Sequence, residues 1–87
     1  MKSASYFAEA SMKTTVKEYR IQAGRTQQQL ADRVRVSART IISIEKEQYR
    51  PSLLLAYRIA QVFGVSVEEM CCLKENMEQE DAEYENL

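Results

Sequence analysis

The chain of 87 residues contains no histidine, one proline, two glycines and two cysteines. Because strands are joined by turns that use glycine and proline, so few of both disfavour an all-β fold. Without histidine and without a glycine-rich phosphate loop, the residues that many enzymes use for acid–base or phosphate chemistry are missing. Two adjacent sulfurs alone do not make a zinc site. We therefore expect a protein that is not an enzyme and that holds no metal and no cofactor.

Long apolar runs are missing as well. No stretch approaches the roughly 18 apolar residues that suggest a membrane-spanning helix, and the start, MKSASYFAEASMK, lacks the apolar region of a secretory signal. Cys71 and Cys72 are neighbours, so a disulfide between them would be strained. We interpret them as reduced thiols that pack at the end of a helix, with a redox switch as the alternative. These observations predict a cytoplasmic protein with no membrane partner.

The formal net charge of −1 conceals an uneven distribution. Residues 13–74 contain 11 lysines and arginines against 6 acidic residues, which is a net charge of +5. Residues 75–87 contain 6 acidic residues and no basic residue. A basic middle is typical of a protein that binds a polyanion, although a weakly charged surface without a nucleic-acid partner would show the same excess.

Helix signals follow one another along the chain, and we find neither strands nor an internal repeat. The pattern Ser/Thr-x-x-Glu/Gln, a capping box, occurs three times, and serines precede two further apolar segments. The segment 53–63 is apolar on most sides, so we expect it to be the central core helix. These signals predict five helices, with N-caps at Thr15, Thr26, Ser37, Ser52 and Ser66.

The two ends of this single domain are less regular. Residues 1–12 are interpreted as a leader, a remnant of cloning before Met12, or an arm that packs on a partner. We expect the domain to span residues 13–73. The acidic residues 74–87 are compatible with a helix, because Met70, Leu73, Met77, Tyr84 and Leu87 fit a heptad spacing that Glu80 interrupts. A frayed, solvated tail is the favoured interpretation.

Residues 26–46, TQQQLADRVRVSARTIISIEK, are the most informative segment. They predict two short helices joined by a tight turn, with Ala31 where the helices cross closely. The apolar positions are Leu30, Val34, Val36, Ile41 and Ile44. This is the layout of a helix-turn-helix, in which the start of the second helix enters the major groove of DNA. That start carries one long cation, Arg39, whose guanidinium fork can bind O6 and N7 of guanine for ~1–3 kcal/mol of discrimination.

Four segments in order extend the pattern: VKEYRIQAG, TQQQLADRV, VSARTIISIEK and RPSLLLAYRIAQVFGVSVEEM. With them, residues 15–73 resemble the λ-repressor/Cro-like helix-turn-helix family, also called the XRE family, of bacterial and phage regulators. The resemblance implies an all-α, compact five-helix DNA-binding domain, with flexible or helical ends. It also implies a transcriptional regulator, here expected to be a repressor, that binds double-stranded DNA sequence-specifically as a homodimer.

By matching positions, the resemblance places the helix from Ser37 to Lys46 in the major groove. The residues that it assigns to base edges are Ala38, Arg39 and Ser43. The residues that it assigns to phosphates are Gln27, Ser37, Thr40, Tyr49 and Arg50. A buried ion pair between Arg20 and Glu45 would join the first helix to the reading helix.

Two positions depart from the family pattern. Arg35 in the turn and Glu47 after the reading helix stand where the family usually has glycine. Because a non-glycine residue with positive φ costs on the order of 1 kcal/mol, we expect a reshaped turn. Glu47 also brings a negative charge near the expected phosphates, so we expect a lower affinity for DNA than in relatives.

A second hypothesis is a protein-binding module of the antitoxin type, which neutralises a partner protein and represses its own operon. A related possibility is that the acidic tail folds over the basic face and restrains DNA binding. For a homodimer, the first candidate surface is the fifth helix and the tail, with Met70, Cys71 and Leu73. Residues 1–12 are the alternative surface.

Overall fold

The computed structural model describes residues 11–85, and this part of the chain forms helices without any strand. The helices are α1 (Val16–Gln22), α2 (Gln27–Val34), α3 (Ala38–Glu45), α4 (Leu53–Phe63), α5 (Val67–Met70) and α6 (Leu73–Glu85). The predicted all-α class is confirmed, with one helix more than the five expected. Residues 1–10 of the predicted leader lie outside the described residues, and so does Leu87.

Side-chain caps explain where most helices begin. The hydroxyl of Thr26 accepts from Gln29 N at 3.0 Å, and the Gln29 side chain accepts from Thr26 N at 2.8 Å, which is the complete predicted capping box. The hydroxyls of Ser37, Ser52 and Ser66 each accept from the backbone amide three residues later. These interactions satisfy amides that the first turn of a helix leaves without a partner.

Thr15 is the exception, and the capping box predicted there is wrong. Its side chain makes no capping hydrogen bond to α1. The hydroxyl and the backbone amide of Thr15 both donate to the carbonyl of Met70, at 3.0 and 2.9 Å. Thr15 therefore joins the start of α1 to the end of α5.

The core is formed mainly by α2, α3 and α4. Leu30, Ile41 and Ile44 are fully buried, so the inward orientation predicted for the two isoleucines is confirmed. Met12, which lies before α1 in the segment interpreted as a leader, is buried in the same cluster. The packed body therefore includes at least one residue that precedes the predicted domain start.

α4 is less buried than its composition suggested. Leu55, Ala56, Ile59 and Ala60 form its buried face, whereas Leu53, Leu54 and Tyr57 are 78%, 61% and 53% exposed. Since a helix packed on one side buries only one stripe of side chains, apolar residues around the whole helix leave some in water. The expectation of a helix buried on most sides is therefore wrong for its outer face.

The C-terminal segment also differs from its prediction. The fifth helix ends at Met70 rather than extending through Leu73, because Cys72 has a left-handed backbone with φ of 48°. A separate helix, α6, then runs to Glu85, so the expectation of a frayed tail is wrong.

Asn76 explains how α6 is attached to the body. Its side-chain amide donates to the carbonyls of Cys71, Cys72 and Lys13 at 2.7, 3.0 and 2.9 Å. Its oxygen accepts from Lys13 N at 2.9 Å. One side chain thus holds the end of α5, the start of α6 and the segment before α1 together.

Candidate nucleic-acid interface

The turn between α2 and α3 keeps the backbone that glycine would favour. Arg35 has φ of 67° and ψ of 40°, and the amide of Val36 donates to Ala31 O at 3.1 Å. Glu47, after α3, likewise has φ of 62°. The expectation of a reshaped turn is therefore wrong, since both residues adopt the left-handed conformation, at a cost on the order of 1 kcal/mol each.

α3 presents a polar face to solvent because its opposite face is buried. Ile41 and Ile44 point into the core, and Arg39 and Ser43, four residues apart, share the other side of the helix. Arg39 is exposed and Ser43 is half-buried, while Ala38 is half-buried against the core. The three residues that the resemblance assigned to base edges thus lie in the first two turns of one helix.

Two hydroxyl groups lie at the start of α3. Ser37 Oγ accepts from Thr40 N at 3.3 Å, and it lies 3.2 Å from Thr40 Oγ1. The amides of a first helical turn carry partial positive charge, which favours an anion near this end. Ser37 and Thr40 therefore combine hydroxyl donors with a favourable local field.

A buried ionic network fixes α3 to the first two helices. Arg20 Nε donates to Glu45 Oε2 at 2.6 Å and Arg20 Nη2 donates to Glu45 Oε1 at 3.1 Å. The two side chains are only 12% and 3% exposed. The hydrogen bond that Arg20 donates to Glu45 raises the pKa of Arg20 despite the opposing effect of burial. A bidentate pair of this kind restricts the orientation of both side chains.

Gln27 belongs to the same network. Its side-chain amide donates to Glu45 Oε1 at 3.0 Å, and Arg20 Nη1 also donates to the carbonyl of Arg25 at 2.9 Å. The resemblance assigned Gln27 to a phosphate, and that contact stays a prediction. In the structure its side chain supports the carboxylate at the end of α3.

The loop between α3 and α4 holds the remaining predicted site residues. Tyr49 is exposed, and Arg50 Nη2 lies 3.7 Å from Glu80 Oε2 of α6 and 3.4 Å from Ser11 O. Glu47 Oε2 accepts from Thr14 N at 3.4 Å, so its carboxylate is directed toward the segment before α1. The possibility of an acidic tail over the basic face rested on the composition of residues 75–87, and the sequence prediction did not name the pair of Arg50 and Glu80.

The two cysteines stand apart from this face. Burial raises the pKa of the Cys71 thiol, as does the neighbouring Cys72. Burial and the carboxylate of Glu75 raise the pKa of Cys72, and Lys13 acts in the opposite direction. Both shifts favour the neutral thiol, which is the less reactive form.

The described residues contain neither a helix suited to spanning a bilayer nor a group of three side chains that could hold a metal ion.

α1 to α5 form a body in which a left-handed turn joins α2 to α3, and α6 is added to this body. This arrangement defines a helix-turn-helix domain. The sequence model of the helix-turn-helix family matches residues 16–70, from α1 to the end of α5. The chain belongs to this family, which confirms the resemblance.

Relatives with curated sequences share the same region. An uncharacterized HTH-type transcriptional regulator of Archaeoglobus fulgidus is 46% identical over 59 residues, which cover 68% of this chain and 84% of that protein. The uncharacterized HTH-type transcriptional regulator YgzD of Bacillus subtilis is 42% identical over 64 residues, covering 74% and 97%.

One solved structure shares the fold over nearly the whole chain. The clp gene regulator ClgR from Corynebacterium glutamicum superposes with a TM-score of 0.62 over 95% of this chain and 82% of its own. Because the sequence identity is 20%, this similarity concerns the fold alone.

Proposed function

We propose that this chain is a sequence-specific, double-stranded-DNA-binding transcriptional regulator that acts in the cytoplasm as a homodimeric repressor. The observation that carries the proposal is the outer face of α3, where the exposed Arg39 and the half-buried Ser43 lie opposite the buried Ile41 and Ile44. Membership of the helix-turn-helix family, and relatives named as transcriptional regulators, support it.

In this proposal, Ala38, Arg39 and Ser43 contact base edges in the major groove. The Arg39 fork suits O6 and N7 of guanine, and the methyl group of Ala38 suits the methyl group of thymine. The network of Arg20, Gln27 and Glu45 has a supporting role, because a base contact needs a helix held in a fixed orientation.

Phosphate contacts orient the domain on the duplex without reading its sequence. The proposal assigns them to Gln27, Ser37, Thr40, Tyr49 and Arg50. Ser37 and Thr40 are supported by their hydroxyls at the start of α3. Each lysine or arginine that neutralises a phosphate adds about one to the slope of log affinity against log salt concentration, so Arg50 should contribute to this slope.

A homodimer follows from the small size of the reading surface. Two copies related by a twofold axis can place their α3 helices in successive major grooves, about 34 Å apart. Each copy then reads one half of an inverted repeat. The resulting operator would be occupied far more tightly than a single half-site.

The test is a selection of bound duplexes from a random pool at one stated ionic strength. We expect an inverted repeat, and we expect Arg39→Ala to lose discrimination at one base pair, by ~1–3 kcal/mol. Lys17→Ala, on the exposed side of α1, removes the same charge away from α3 and is the matched control. If both variants select the same sites with the same affinity as the original chain, the role proposed for Arg39 is wrong.

A further inference from the structure

α4 has an exposed apolar groove along its outer face. Leu54, Tyr57 and Gln61 follow one another at helical spacing, and Arg33 of α2 forms the opposite wall. Leu53 lies beside them and is the most exposed large apolar residue described. Contiguous apolar side chains on a surface commonly mark a binding site. We call the surface formed by Leu53, Leu54, Tyr57, Gln61 and Arg33 the α4 groove.

The charged side chains that line the α4 groove, Arg33 and Arg58, are both basic, and Arg35 lies beyond Leu54. Within residues 11–85, none of these three guanidinium groups forms an ion pair. If the same groove of a second copy packed against it, arginines would face arginines, and like charges across an interface are unfavourable. The groove therefore requires a partner that is apolar and acidic.

α6 has a surface of that chemistry. Glu80 contacts Arg50 of the body, and Asn76 contacts Lys13. Leu73, Met77 and Tyr84, separated by four and seven residues, share the side of the helix on which Glu80 lies, and all three are exposed. Acidic residues adjoin this apolar stripe, namely Glu78, Asp81 and Glu85. We call the stripe and these three acidic residues the α6 outer face.

The α6 outer face has no partner within the described chain. No residue of α6 is buried, and Leu73, Met77 and Tyr84 are 41%, 56% and 52% exposed, so the body does not cover the apolar stripe. If α6 packed against α6 of a second copy, acidic residues would face acidic residues, and this contact between like charges would be unfavourable. Each surface is complementary to the other, and neither is complementary to itself.

We propose that the α6 outer face of one copy docks in the α4 groove of a second copy, and that the second copy does the same in return. Leu73, Met77 and Tyr84 would cover Leu53, Leu54 and Tyr57. Glu78, Asp81 and Glu85 would approach Arg33, Arg35 and Arg58. Two reciprocal contacts of this kind close a twofold dimer with no surface left for further growth. This inference rests on the homodimer of the proposed function and assigns its interface.

A charge-swap experiment tests the proposal with the full chain. In the groove variant, Arg33→Glu and Arg58→Glu make the α4 groove acidic. In the helix variant, Glu78→Arg and Glu85→Arg make the α6 outer face basic. We expect each variant alone to self-associate at least about tenfold more weakly than the original chain in sedimentation equilibrium, since both contacts then oppose like charges.

Mixing the two variants is the decisive measurement. In the mixed dimer the acidic α6 of one copy meets the basic groove of the other, and the basic α6 meets the acidic groove, so dimers should return. The matched control replaces the helix variant by Glu18→Arg with Glu68→Arg, which changes the charge equally on exposed positions of α1 and α5. This control should self-associate like the original chain and should dimerise with the groove variant more weakly than the helix variant does, because one of the two contacts then opposes like charges.

Three results would overturn the proposal: a monomeric original chain, a groove variant that dimerises as well as the original, or a mixture that stays monomeric. A mixture that stays monomeric while the groove variant alone loses its dimer would point to a different occupant, such as a second copy's own α4. Because the measurement contains no DNA, such a failure would leave the proposed DNA binding by α3 to be judged separately. Recovery of dimers on mixing also demonstrates that both variants are folded.

Discussion

Two helices of this molecule, α3 and α6, are held in place by different kinds of interaction. α3 is anchored by isoleucines that are fully buried and by a carboxylate, Glu45, that is almost inaccessible. α6 has no buried residue and is attached through Asn76 and through the surface pairs of Glu75 and Glu80. Exposed pairs contribute about 0–1 kcal/mol, whereas breaking a buried pair costs several times more. α3 is therefore tightly fixed, and we expect α6 to separate from the body at a lower cost in free energy than α3.

The largest expected effect comes from removing the ion pair that anchors α3. Glu45→Ala removes the partner of Arg20 and leaves a buried guanidinium without its counter-charge, so we expect the free energy of unfolding to fall by about 3–5 kcal/mol. Urea denaturation measures this change. Glu75→Ala, which removes the exposed pair with Lys13, is the control and should cost less than ~1 kcal/mol. Equal losses for the two variants would show that the Arg20–Glu45 pair is not the anchor described.

The second effect concerns the attachment of α6. Asn76→Ala removes hydrogen bonds to three carbonyls, each worth ~0.5–1.5 kcal/mol, so α6 should separate from the body while α3 stays protected. Hydrogen exchange should accelerate about tenfold or more at the amides of α6 and remain unchanged at those of α3.

Gln79→Ala is the matched control for Asn76, because the Gln79 amide contacts only Glu83 within the described hydrogen bonds. It should leave the exchange of α6 nearly as slow as in the original chain. If Asn76→Ala instead accelerates α3 and α6 alike, the two regions unfold together and the comparison drawn above fails.

The smallest expected effect concerns Arg50, for which Glu80 of α6 and a DNA phosphate would compete. Arg50 is proposed to contact phosphate, and Glu80 of α6 lies 3.7 Å from it. Glu80→Gln should therefore strengthen DNA binding about two- to fivefold, which is the range of an exposed ion pair. Titration of a duplex at low ionic strength measures it.

Glu68→Gln removes the same charge from an exposed position of α5 and is the control for Glu80. A general electrostatic effect would strengthen DNA binding equally in the two variants, and then Arg50 is not the point of competition. The difference between them should shrink as salt is added, because salt screens exposed charges.

Local sequence signals predicted the parts of the fold whose partners are close in the chain. Thr26 and Ser37 cap helices through amides three residues later, so the sequence pattern contains both partners. Thr15 has the same pattern, but its hydroxyl is engaged by the carbonyl of Met70, which is 55 residues away. For a similar reason a frayed tail was favoured over a helix, since Asn76 is bound to Lys13 across 63 residues.

The candidate site was predicted through the family resemblance more than through composition. Periodicity alone showed that Ile41 and Ile44 face inward and that Arg39 faces outward. It did not indicate that Gln27 would donate to Glu45, nor that Glu80 would lie beside Arg50, because both contacts depend on the packing of separate helices. An apolar composition around α4 likewise does not specify which residues remain in water, and Leu53 and Leu54 were therefore expected in the core helix although they are exposed.

The hydrogen bonds between Thr15 and Met70 have a consequence for how the protein matures. They join residues at the two limits of the family domain, so this contact cannot form while the ribosome still holds α5. Synthesis proceeds at ~5–20 residues per second and the closing of so long a loop carries an entropic cost. A nascent chain that already contains the whole of α3 therefore still lacks the finished domain, and the helix-turn-helix body is completed only late in synthesis.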